Sequence, residues 1–232
     1  LLLSLNCVAA DQELRIGVLA YRGEQKTVAA WTPTADYLSE HIPGYHFSVV
    51  PLSLEGLHNA VARGDVDFVL TNPGHYVDLE AEFGISRIAT LRNRYDGHTF
   101  TRFGAVIFTN ADNDQIHTLE DLRGKSFMAV APDAFGGFRM AWGELKDHGI
   151  DPFTDFSDLR FSGFPQDLIV YAVRDGRVDA GTVRALTLYR MAREGKVDLS
   201  ALRVLNPQEA PDFPFPHSTR LYPEWPFARL KN

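Results

Sequence analysis

Ala60-Val61-Ala62-Arg63-Gly64-Asp65-Val66-Asp67 and Ala172-Val173-Arg174-Asp175-Gly176-Arg177-Val178-Asp179 repeat one order of residue types in two distant parts of the chain. Each reads as a helix end, a glycine that stops it, and a strand opening on aspartate. Working outward from the first copy, Ser53 is placed to cap a helix carrying Leu57, Ala60 and Val61, and Val66 to Leu70 reads as a buried strand. Further back, Leu14 to Leu19 alternates as a strand, and a helical pattern runs through Trp31, Ala35, Leu38 and Ile42, with Thr32-Pro33 as a kink or restart. His46 to Val50 supplies the next strand. Short strands separated by helices predict a parallel, doubly wound sheet.

The same grammar surrounds the second copy. Phe103 to Phe108 and Ser126 to Val130 read as strands, Thr118 to Arg123 as a helical turn stopped by Gly124, and Phe138 to His148 and Phe164 to Arg174 as helices. Two halves of like construction predict an α/β protein of two lobes. Crossovers are expected near Phe103 and near Thr182 to Ala185, so lobe one takes residues 11–102 plus 185–232 and lobe two takes 103–184. The Pro-rich run from Pro207 to Pro226 lacks periodicity and is expected to wrap a surface.

Bulk properties narrow the function. With 232 residues and a formal net charge of -7, the chain offers no basic patch for nucleic acid, so an anionic ligand needs a locally positive pocket. Leu1 to Ala10 reads as the tail of a secretory signal, with cleavage expected near Asp11 and a periplasmic location for the rest. Cys7 is the only cysteine, so a domain cleaved there holds no disulfide. No G-x-S-x-G elbow or H-E-x-x-H is present, and the eight histidines are scattered, so no catalytic or metal constellation is read and no cofactor is expected.

Ligands of open α/β sheets bind beyond the carboxyl ends of strands, where helix N-termini carry unpaired N–H groups and a positive dipole end. Three turns have that form. Thr71, Asn72, His75 and Tyr76 follow the first buried strand and offer polar groups, although a plain capping turn reads equally well. Ala134-Phe135-Gly136-Gly137 presents paired glycines whose backbone N–H groups can approach a ligand. Phe164 and Gln166 belong to the third turn, which also reads as an ordinary helix start. Charge is expected from Arg22, beside Tyr21 after the first strand, from Arg102 near the crossover, and above all from Arg184.

Gly17-Val18-Leu19-Ala20, Asp36-Tyr37-Leu38-Ser39, Gly64-Asp65-Val66-Asp67, Pro73 to Tyr76, Leu119 to Lys125 and Gly176 to Gly181 together resemble the phosphate/phosphonate-binding family of type 2 periplasmic binding proteins. The likeness covers nearly all of residues 14 to 205. It implies two doubly wound lobes with a ligand cleft between them. Phe135-Gly136-Gly137-Phe138, Gly163 to Asp167 and Ser218-Thr219-Arg220-Leu221-Tyr222-Pro223-Glu224-Trp225-Pro226-Phe227 resemble more narrowly the periplasmic sensor half of tetrathionate-sensor-type histidine kinases. That likeness implies an extracytoplasmic sensing domain for a small oxoanion, joined in a longer parent to a membrane-anchored kinase portion. The family's transport members use a Ser/Thr-rich turn for phosphonate, whereas Ala134 to Gly137 brings no hydroxyl. The family's domains usually end with a further helix, so the chain is expected to be a fragment. A substrate-binding protein serving an ABC permease, and an enzyme of the kind found among the family's relatives in thiamine-precursor synthesis, are the competing readings.

Overall fold

The computed structural model describes residues 11–231, so the expected signal remnant, Leu1 to Ala10, lies outside the described residues. The chain starts with β1 (Gln12–Leu19), α1 (Glu24–His41), β2 (Tyr45–Leu52), α2 (Leu54–Arg63), β3 (Phe68–Leu70), α3 (Pro73–Phe83) and β4 (Ser86–Thr90). Their boundaries follow local chemistry. Ser53 accepts a hydrogen bond from the Gly56 N–H, and Gly64 closes α2 at φ 69°, a left-handed turn that glycine adopts without a Cβ penalty. α1 runs as a single helix through Pro33 rather than restarting there. The one backbone bond that proline forfeits is outweighed by packing of the helix on the sheet.

A hairpin, β5 (Asn93–Tyr95) and β6 (His98–Phe100), leads to β7 (Arg102–Phe103), β8 (Ala105–Asn110) and β9 (Ser126–Ala129). A π-helical turn, Phe135–Arg139, runs into α4 (Met140–Asp147). Then come α5 (Pro152–Asp155), β10 (Asp158–Phe161), α6 (Asp167–Arg174), β11 (Ala180–Arg184), α7 (Leu186–Arg193) and β12 (Leu202–Leu205). The chain closes with β13 (Gln208–Ala210), β14 (Phe213–His217), β15 (Tyr222–Pro223) and β16 (Pro226–Arg229).

Two five-stranded sheets result. The first has the order β2-β1-β3-β16-β4, with β1 parallel to β2 and β3 and with β16 antiparallel to both its neighbours. The second has the order β10-β9-β11-β8-β12, parallel on one side and antiparallel where β8 meets β11 and β12. The two passages of the chain between the sheets lie side by side, because β7 pairs with β15. Buried side chains such as Phe103, Phe108, Phe127, Phe138 and Phe213 fill the core, each contributing roughly 1.5–3 kcal/mol by leaving water.

Two expectations need correction. Residues 185–205 do not return to the first sheet, since buried Leu202 and Leu205 place β12 beside β8 in the second. The run from Pro207 to Pro226 is not a surface wrapping. Phe213, Phe215 and His217 alternate into the interior along β14, leaving Pro214 and Pro216 on the outward positions that a two-stranded edge tolerates. The aromatic cluster of Phe100, Phe213 and Phe215 holds this segment against the β5–β6 hairpin.

Candidate functional site

The carboxyl ends of β1 and β11 face the same space. After β1 the chain turns at Gly23, with φ 97°, into the first turn of α1, which brings Tyr21, Arg22, Lys26 and Trp31 to one wall. β11 ends on Arg184, and α7 adds Arg190. Glu224 and Trp225, just before β16, close the third side. The cavity between them measures about 310 Å³ and holds four cationic side chains in a protein of net negative charge. A smaller void of about 20 Å³ adjoins it and shares Leu19, Tyr21, Arg184 and Trp225. Its other walls include Asn72, Ala134, Phe135, Gly136, Gly137, Phe164 and Gln166.

Arg184 is the centre of this arrangement. It is 5% exposed, its guanidinium lies 4.5 Å from the centre of the Phe103 ring, and Nη2 donates to the fully buried carboxylate of Glu224. Its backbone N–H donates to Gln166 Oε1 at 2.9 Å, tying the end of β11 to the turn before α6. Four buried side-chain polar atoms among the described residues lack a hydrogen-bond partner, and two of them, Arg184 Nε and Trp225 Nε1, are on residues that line these cavities. Buried donors without acceptors are costly and call for a missing partner.

Arg22 spans the cleft. Its Nε and Nη2 donate to Asp167 at 3.1 and 2.9 Å, and Nη1 donates to Glu194 at 2.8 Å. Lys196 joins the same carboxylates at 3.1 and 2.7 Å. Burial opposes the Arg22 charge, but hydrogen bonds to Asp167 and Glu194 outweigh it and raise its pKa above the usual arginine value. The hydrogen bond from Arg22 leads the influences that hold the Glu194 carboxyl down to about 2. A second tie, Arg139 Nη1 to Asp78 at 3.3 Å, bridges the π-helical turn and α3.

Four expected residues stand apart from both cavities. Thr71 Oγ1 and His75 Nδ1 are hydrogen-bonded to each other at 3.0 Å and buried, and Tyr76 donates to Glu80. Arg102 is exposed and paired with Asp212. Local partners satisfy each of these groups. The paired glycines line the small void, yet the space beside them is filled. A Cβ at Gly136 would meet the Phe103 ring at 2.9 Å, and one at Gly137 would overlap the Val130 side chain. Their lack of a side chain serves close packing of the turn.

Sequence reading missed Lys26, Trp31, Arg190, Glu224 and Trp225. Glu224 and Trp225 fall inside the quoted run from Ser218 to Phe227, so the signal was there but carried no role. Lys26 and Arg190 sit on helix faces whose direction follows only from the packing of α1 and α7.

Residues 16–232 match the model of the family described as the phosphonate periplasmic substrate-binding protein of ABC transporters. The chain belongs to this phosphonate-binding family. Over 216 residues it is 40% identical to the tetrathionate sensor histidine kinase TtrS of Salmonella typhimurium, a match covering 93% of this chain and 36% of that protein. The chain therefore spans about a third of the length of this curated relative. Among solved structures, a binding protein component of an ABC phosphonate transporter from Pseudomonas aeruginosa superposes with a TM-score of 0.74 at 16% identity, covering 96% of this chain and 70% of that one. PhnD1 from Prochlorococcus marinus, in complex with methylphosphonate, gives 0.72 at 16% identity, with 94% and 76% covered. The aliphatic sulphonate binding protein SsuA from Escherichia coli gives 0.62 at 16%, with 95% and 66% covered. At these identities the structures show the two-lobed type 2 periplasmic-binding-protein fold.

Proposed function

We propose that this chain is the extracytoplasmic sensing domain of a two-component histidine kinase and binds a small oxoanion in the cleft between its two sheets. The observation that carries the anion is the pair of buried, unpartnered donors on Arg184 and Trp225, set among Arg22, Lys26 and Arg190. The sensing role rests on the 40% identity with the tetrathionate sensor kinase, which makes tetrathionate the first ligand to try. Ligand entry would favour one arrangement of the lobes, because differential affinity shifts a conformational equilibrium. Calorimetric titration of the purified domain with tetrathionate, thiosulfate, sulfate and methylphosphonate tests the reading. Binding of at least one is expected, and no heat with any of them overturns it. Replacing Arg184 alone strands Glu224 as a buried charge, at a cost of about 3–5 kcal/mol. The Arg184→Ala, Glu224→Gln double variant removes both charges and should lose most anion affinity while still melting cooperatively.

The family description favours a second reading, a substrate-binding protein feeding an ABC transporter. The coding sequence downstream separates the two. A run of about 20 apolar residues supports the sensor, and a stop codon supports the transporter.

A further inference from the structure

Glu224 is out of place in an anion site. Its side chain is completely buried, it lines the larger cavity, and it takes Arg184 Nη2 in a direct ion pair. Its other oxygen accepts from the Trp225 backbone N–H at 3.3 Å, and its own N–H donates to the Thr101 carbonyl at 2.7 Å. The carboxylate is thus held by Arg184 on one oxygen and by the Trp225 N–H on the other, while the Thr101 bond anchors the backbone that carries it. Buried carboxylates are tolerated when a cation compensates them, and here the compensating cation is the one best placed to meet a ligand.

We propose that Glu224 is the resident competitor of the anion site. It satisfies Nη2 of Arg184, leaves Nε without a partner, and repels an arriving anion, so that it lowers affinity and weighs more heavily against ligands of higher charge. This rests on the anion-binding reading above and adds a specificity-determining residue to it. Coulomb repulsion sums over ligand charges and falls with distance, so removing the carboxylate helps tetrathionate, whose second charge sits on its far sulfonate, more than a monoanion, though by less than a factor of two on a logarithmic scale.

The test titrates wild type, Glu224→Gln and Glu224→Asp with tetrathionate, a dianion, and with methanesulfonate, a monoanion. In Glu224→Gln, tetrathionate should bind about fivefold tighter and methanesulfonate about threefold tighter. A residue that merely supports the fold would weaken both ligands together and leave their ratio unchanged. Wild-type binding with no tightening in Glu224→Gln overturns the proposal, whereas no wild-type binding of these two or of thiosulfate, sulfate and methylphosphonate overturns the anion reading itself. Should Glu224→Gln lack a cooperative melt, Glu224→Asp is decisive. It withdraws the charge by one methylene and should tighten tetrathionate about threefold, and an unchanged or weaker affinity overturns the proposal.

Discussion

His75 carries its imidazole into the interior at the start of α3, where burial, the dominant influence, brings its pKa down to about 4. The unfolded chain binds that proton near 6.5, so between the two values it holds more protons than the folded chain. Stability from this group is complete above pH 6.5 and is lost as pH falls towards 4, by up to about 3 kcal/mol. His75→Asn should flatten that part of the pH profile of urea midpoints, and an unaltered slope would refute the assignment. Buried and hydrogen-bonded to Thr71 at 3.0 Å, this histidine lies apart from both cavities despite its place after a buried strand. At single positions the sequence placed Tyr21 and Arg22 after a strand and Arg184 at the end of one, and all three line the larger cavity. It could not foresee that Arg102 pairs with Asp212 and Tyr76 with Glu80, apart from both cavities.

Among the elements, the π-helical turn at Phe135–Arg139 shows how closely the two sheets approach. A Cβ on Gly74 at the start of α3 would meet the Phe135 ring at 2.8 Å, and the ring of Phe103 lies against Gly136. Gly137→Ala should therefore cost about 1–3 kcal/mol through overlap with Val130, and adding Val130→Ala should restore most of it. Chemical denaturation of the single and double variants checks this, and full independence of the two substitutions would refute it. Helix caps and stops such as Ser53 and Gly64 were legible because their chemistry is local. Strand β14 was not, because prolines at alternate positions hide the period of Phe213, Phe215 and His217 unless the outward face is read separately from the inward one.

In the molecule as a whole, Arg22, Asp167, Glu194 and Lys196 form a clasp between the start of α1 and the elements of the second sheet. These pairs favour approach of the two lobes. Asp167→Asn should loosen the clasp, enlarge the radius of gyration seen by small-angle scattering, and make that radius less sensitive to added salt than in wild type. Identical scattering from the two proteins would remove the clasp from the account. The two-lobed plan could be read from repeated helix–glycine–strand units, whereas the point of return could not, because β12 obeys a pairing that only the folded second sheet reveals. The placement of β16 has one more consequence. The second sheet is built wholly from residues 105–205, but the first needs residues 226–229 between β3 and β4. A ribosome emitting this chain thus delivers every strand of the second sheet while the first still exposes two open strand edges, the condition in which newly made chains most need a chaperone.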